Sequence, residues 1–203
     1  MLWYIDRLRA MPPAPFFHAM TVETESTLSI SARHLHAVER HAAEAYPEEC
    51  CGFLVGRVEE ERGAAAGGAG AGDLIRVHRV LPTRNEQKSD PCSGYLIAPE
   101  TVLAARREAR SLGLEVVGYY HSHPDRPAEP SPTDRETAWD DMSYLIVAVE
   151  KGVPVDARSW RLPGDGEDFE EQAVEPVGDP AVLRSLGTSR PSGPDRAGNG
   201  APG

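Results

Sequence analysis

Apolar residues recur along the chain at two spacings, and the switching between them predicts an α/β layout. In SARHLHAVERHAAEAY (31–46), Leu35, Val38, Ala42 and Ala45 fall at helical spacing, with Ser31 placed as an N-cap and Pro47 closing the segment. CGFLVGRV (51–58) reads as a buried strand. DLIRVHRVL (73–81) alternates apolar and polar residues, the pattern of a half-buried strand. PETVLAARREARSLG (99–113) predicts a second helix, with Pro99 in its first turn, Gly113 at its C-terminal cap and a weak stripe of Val102, Ala105, Ala109 and Leu112. LEVVGYY (114–120) predicts a strand, PTDRETAWDD (132–141) a short helix, and MSYLIVAVE (142–150) a central strand. VDARSWRL (155–162) and DFEEQAV (168–174) predict two more strands.

These elements make one α/β domain over residues 28–175, a mixed, mainly antiparallel sheet flanked by helices. Inside it, EEERGAAAGGAGAG (59–72) is low in complexity and reads as a flexible hairpin insert. Residues 1–27 read as a poorly ordered leader, with Met20 as an alternative start to Met1. Residues 176–203 hold Pro, Gly, Ser and charge without periodicity and read as a disordered tail.

Composition narrows the function classes. The formal net charge of -11 over 203 residues argues against nucleic acid as the main partner, because phosphate binding draws on Lys and Arg. No apolar run approaches a membrane span, and Asp6, Arg7 and Arg9 break the N-terminal segment, so a signal peptide is not expected. Cys50, Cys51 and Cys92 are odd in number and two are adjacent, a poor disulfide framework. The expectation is reduced, core-type thiols in a cytoplasmic protein.

The chemistry concentrates in His121-Ser122-His123-Pro124 and Ser131-Pro132-Thr133-Asp134. Two histidines at i and i+2 on a strand end share a face. Pro124 stops the strand. Ser131 and Pro132 mark a helix start, so Asp134 falls in the first turn and can point back. Two imidazoles and a carboxylate form a catalytic rather than a structural zinc set, since the fourth position stays open for water. A lone His-x-His on an exposed strand is ordinarily just surface, and Ser-Pro-x-Asp alone is ordinarily a helix start. Joined by a short Pro-rich loop behind an apolar strand, they point to a metal. His34, His36, His41, His78 and His18 are assigned no chemistry. A hydrolytic zinc site also needs a carboxylate base. A candidate lies in Pro47-Glu48-Glu49-Cys50-Cys51-Gly52, where a Glu stands at the mouth of a buried strand. Glu48 reads more simply as part of a solvated loop.

Together these pieces resemble the JAMM metallopeptidases, also called MPN+ or JAB. That pattern is a Glu three residues before a Gly, then His-x-His-Pro, then Ser-x-x-Asp. It reads here as Glu49 before Gly52, His121 to Pro124, and Ser131 to Asp134. The likeness covers about residues 31–175 and is greatest to the short bacterial branch with Mec-type peptidases, which act on a ubiquitin-like sulfur carrier bearing a C-terminal cysteine. The resemblance implies a single JAB/MPN domain with cytidine-deaminase-like layering. It implies one zinc on His121, His123 and Asp134, with a water as fourth ligand. It makes Glu49 the general base, with Glu48 the rival one residue away. It makes Ser131 a donor to the oxyanion, in competition with its capping role, and leaves Ser122 without a direct role. The implied activity is hydrolysis of the peptide or isopeptide bond after the C-terminal Gly-Gly of a ubiquitin-like or sulfur-carrier protein, in cysteine or sulfur-cofactor biosynthesis. The alternatives are a general deubiquitinase-like peptidase on bacterial ubiquitin-like conjugates and a non-catalytic MPN-type scaffold. Scaffold members lack the ligands that are present here.

Overall fold

Ser31 caps the first helix as its sequence position requires, its Oγ accepting the His34 N–H at 3.3 Å. The computed structural model describes residues 26–60, 72–163 and 168–178. In chain order these form β1 (Thr27–Ser31), α1 (Ala32–Ala45), β2 (Cys51–Glu60), β3 (Asp73–Thr83), α2 (Pro99–Ser111), β4 (Glu115–Pro124), α3 (Pro132–Thr137), β5 (Ser143–Glu150), β6 (Val153–Arg161) and β7 (Glu170–Val177).

The mixed sheet expected from the pattern closes on itself as a barrel in the order β1-β3-β2-β4-β5-β6-β7. β1 closes it, pairing in parallel with both β3 and β7. β4 and β5 are also parallel, and the remaining neighbours are antiparallel. The helices take opposite faces of the strands. Val38 and Ala42 of α1 pack with Leu54, Val117, Tyr120 and Leu145. Ala105 and Ala109 of α2 pack with Phe53, Val55, Val116, Tyr119 and Tyr144. Neighbouring residues of β2 therefore enter different clusters, which explains why its sequence is apolar without alternation. Gly52 is required by packing. A Cβ there would overlap the Tyr120 ring and the Leu81 carbonyl oxygen.

Several expected boundaries move. β1 had no forecast; Thr27 lies in it, and Ser26 Oγ accepts from Gln172 at 3.1 Å, so the described order starts inside the expected leader. Glu59 and Glu60 belong to β2 and pair with Leu74 and Asp73, which shortens the insert, whose residues 61–71 lie outside the described residues. Helix α3 stops at Thr137 rather than 141, because the chain turns away and the Trp139 N–H donates to the Tyr144 hydroxyl at 2.6 Å. Pro176 and Val177, placed in the tail by composition, pair with Ile30 and Ser31. The expected leader up to residue 25 and the tail from 179 lie outside the described residues. Among the described residues no helix is long and apolar enough to cross a membrane.

Candidate active site

β4 carries the centre of the site. His121 and His123 stand two residues apart on the face shared with Tyr119, and both are buried, at 0% and 2% exposure. Pairing fixes their height: Cys51 of β2 lies opposite His121, and Ile146 and Ala148 of β5 lie opposite His121 and His123. After Pro124 the chain turns at Asp125, whose φ of 51° is left-handed. Three bonds hold that turn. The Asp125 N–H donates to the Val149 carbonyl at 2.7 Å, and its carboxylate accepts from the Lys151 N–H and the Tyr46 hydroxyl, each at 3.0 Å. The loop is pinned again when Trp160 Nε1 donates to the Ala128 carbonyl at 2.9 Å.

The loop delivers α3, and its first turn carries a full capping box. Ser131 Oγ accepts from the Asp134 N–H at 3.2 Å, and Asp134 Oδ2 accepts from the Ser131 N–H at 2.7 Å. This box aims the Asp134 carboxylate at the histidines. Its Oδ1 lies 3.2 Å from His121 Nε2 and its Oδ2 lies 3.4 Å from His123 Nε2. The two Nε2 atoms are 3.1 Å apart.

The donor set passes a test for zinc. Tetrahedral ligands at zinc–nitrogen distances of about 2.0–2.1 Å stand about 3.3 Å from one another, close to the three separations here. The tautomer fits as well. His123 Nδ1 lies 2.8 Å from the Pro127 carbonyl, which can only accept, so Nδ1 carries the proton and Nε2 offers a lone pair to the cluster. His121 Nδ1 is buried without a hydrogen-bond partner. Its ring instead stacks on Tyr95, with centroids 4.7 Å apart. Burial resists ionisation of Asp134. The adjoining His121 and His123 rings and the bond from the Ser131 N–H outweigh it and hold the carboxyl far below the usual range.

Glu49 reaches the site from the other side of β4. It is 2% exposed, whereas Glu48 beside it faces solvent. Its backbone is tied at both ends. The N–H donates to the Pro91 carbonyl at 2.7 Å, and the carbonyl accepts from Asn85 Nδ2 at 3.0 Å. Ser122 stitches the next residue to β4, its Oγ accepting the Cys50 N–H at 2.9 Å and its N–H donating to the Cys50 carbonyl at 3.2 Å. Burial dominates and raises the Glu49 carboxyl above its usual range, against the pull of neighbouring His121, His123 and Arg126. Arg126 Nη2 forms an ion pair with Glu49 Oε1.

The five expected site residues thus fall in one neighbourhood, on β4, the α3 start and the approach to β2. Three neighbours had no forecast: Arg126 on Glu49, Tyr95 on His121, and Asn85, which also accepts the Gln87 and Leu96 N–H groups. The signal for Arg126 was a cation two residues past His-x-His-Pro, inside a loop too short to swing away. Tyr95 and Asn85 lie in a polar loop without periodicity and gave none. Two of the three thiols match the expectation of reduced, core-type residues, and Cys92 departs from it by lying at the surface. Cys50 and Cys51 are buried and free, and burial pushes each up to about 12, far from an activated nucleophile. Cys92 is free and exposed.

Comparison with known proteins agrees with the motif. Residues 31–163 match the family described as prokaryotic homologs of the JAB domain. The chain is 31% identical to a desampylase of Haloferax volcanii, over 74% of this chain and 97% of that protein. It is 28% identical to a CysO-cysteine peptidase of Mycobacterium tuberculosis, over 73% and 90% respectively. A solution structure from Desulfitobacterium hafniense superposes with a TM-score of 0.61 at 30% identity, covering 75% of this chain and 94% of that one.

Proposed function

Because the chain belongs to the prokaryotic homologs of the JAB domain, and relatives across most of its length are named as a desampylase and a CysO-cysteine peptidase, we propose that it is a zinc-dependent metallopeptidase. Its substrate in this reading is a ubiquitin-like sulfur carrier, cut after a C-terminal Gly-Gly. The observation that carries the reading is the convergence of His121, His123 and Asp134 at tetrahedral-edge separations, with buried Glu49 beside them.

His121 Nε2, His123 Nε2 and one Asp134 oxygen would hold the metal. Zinc, when bound, supplies Lewis acidity and brings the pKa of a water to about 7. Glu49 takes the proton of the attacking water and returns it to the leaving amine. Its burial keeps bulk water from competing for that proton. Ser131 can cap and donate at once. The cap uses an oxygen lone pair as acceptor, which leaves the hydroxyl hydrogen for the carbonyl oxygen as negative charge builds there. Glycines before the scissile bond let the substrate backbone approach a pocket walled by imidazoles, because no Cβ intervenes. An extended tail bound through its main chain would hold the carbonyl in reach.

The test incubates zinc-loaded protein with a ubiquitin-like carrier ending Gly-Gly-Cys and follows its mass. Loss of the terminal residue is expected, and a carrier with Ala for the last Gly should react far more slowly. An untouched carrier, with unrelated unfolded peptides cut readily, would sink the reading.

A further inference from the structure

Resting on that function, we infer that Arg126 receives the α-carboxylate of a single amino acid leaving from the carrier, and so selects one-residue extensions over lysine isopeptides. The guanidinium stands beside the proposed base, with Nη2 on Glu49 Oε1. Among the described residues that is its one recorded partner, although a guanidinium carries five N–H donors in a planar fork. Its side chain is 35% exposed, against 2% for Glu49, so Arg126 stands at the boundary between the buried carboxylate and solvent. The backbone beneath is fixed on both sides. Asp125 is held by its three bonds, and the Pro127 carbonyl accepts from His123.

The geometry of a leaving amino acid fits this placement. Glu49 must reach the leaving nitrogen to protonate it. In a one-residue extension the carboxyl carbon lies only about 2.5 Å from that nitrogen, across one Cα. The carboxylate is therefore confined to the surroundings of the Glu49 carboxylate, where Arg126 stands. Without Arg126 it would face the charges of Glu49 and Asp134. A lysine isopeptide leaves through Nζ, four methylenes from its Cα, and brings no carboxylate there.

The experiment compares kcat/KM of the zinc-loaded full chain on a ubiquitin-like carrier ending Gly-Gly-Cys, as the free acid and as the C-terminal amide. Wild type should favour the acid by about tenfold or more, the scale of a charge-assisted hydrogen bond. Arg126→Gln should bring the ratio close to one, and Arg126→Lys should keep part of it. Equal rates on acid and amide by wild type overturn the inference while leaving the proposed function standing. So does an Arg126→Gln variant that slows both substrates alike with the preference intact, because Arg126 would then act only by holding Glu49. If wild type cuts neither, the proposed function fails and the inference falls with it.

Discussion

The pocket is built from two halves that reach it by different routes. Residues 121–134 supply His121, His123, Ser131 and Asp134 from one strand end, one pinned loop and one helical turn. Residues 49–95 supply Glu49, with Asn85 and Tyr95 behind the site, and they arrive only because β2 pairs with β4 and a long loop folds over the pair. In the first half local chemistry sets the geometry: strand alternation, a Pro stop and a capping box. In the second half the same residue type one position away, Glu48, faces solvent. What separates the two glutamates is tertiary, namely the bonds that Pro91, Asn85 and Ser122 make around Glu49 and Cys50.

The hardest test of this division falls on the first half. His121→Ala or Asp134→Ala should release the metal and leave no measurable turnover, as should chelation of the wild type. Elemental analysis beside an activity assay reads both, and full activity in metal-free protein would break the comparison at its root. In the second half, Glu49→Gln should retain metal yet lose about 10²–10⁴-fold in turnover. Glu48→Gln should remain near wild type, and the reverse outcome would mean that the base is misassigned.

The seam between the halves can be probed directly. Ser122→Ala leaves the buried Cys50 N–H without its acceptor, which should cost about 1–3 kcal/mol of stability by urea unfolding. Metal content should hold while turnover falls less than in Glu49→Gln. Thiol labelling offers the mildest check. At neutral pH the native protein should show one fast thiol, Cys92, because Cys50 and Cys51 are buried in the seam with their pKa values pushed up to about 12. Three fast thiols in the native state would mean that the seam opens. Finally, removing residues 179–203 should leave melting temperature and turnover unchanged. The cut has to fall after Gly178, since Pro176 and Val177 pair with β1.

The sequence alone determined the parts whose signals are local. Helical spacing put Val38 and Ala42 inside, and the runs around Leu54 and Ile146 became buried strands. His121, His123 and Asp134 were legible because strand and helix periodicities fix where side chains point over a few residues. Glu49 was legible as a residue of its motif, but its burial was not. Only the tertiary structure decided that the sheet closes, since closure depends on which strands β1 joins, and its short alternating run Thr27–Ser31 does not encode its two partners, β3 and β7. It alone set Arg126 on Glu49, Tyr95 on His121 and Asn85 under the Glu49 backbone, contacts between segments 26 to 77 residues apart. Loop residues meet such partners through the path of the whole chain, and no local spacing encodes that path.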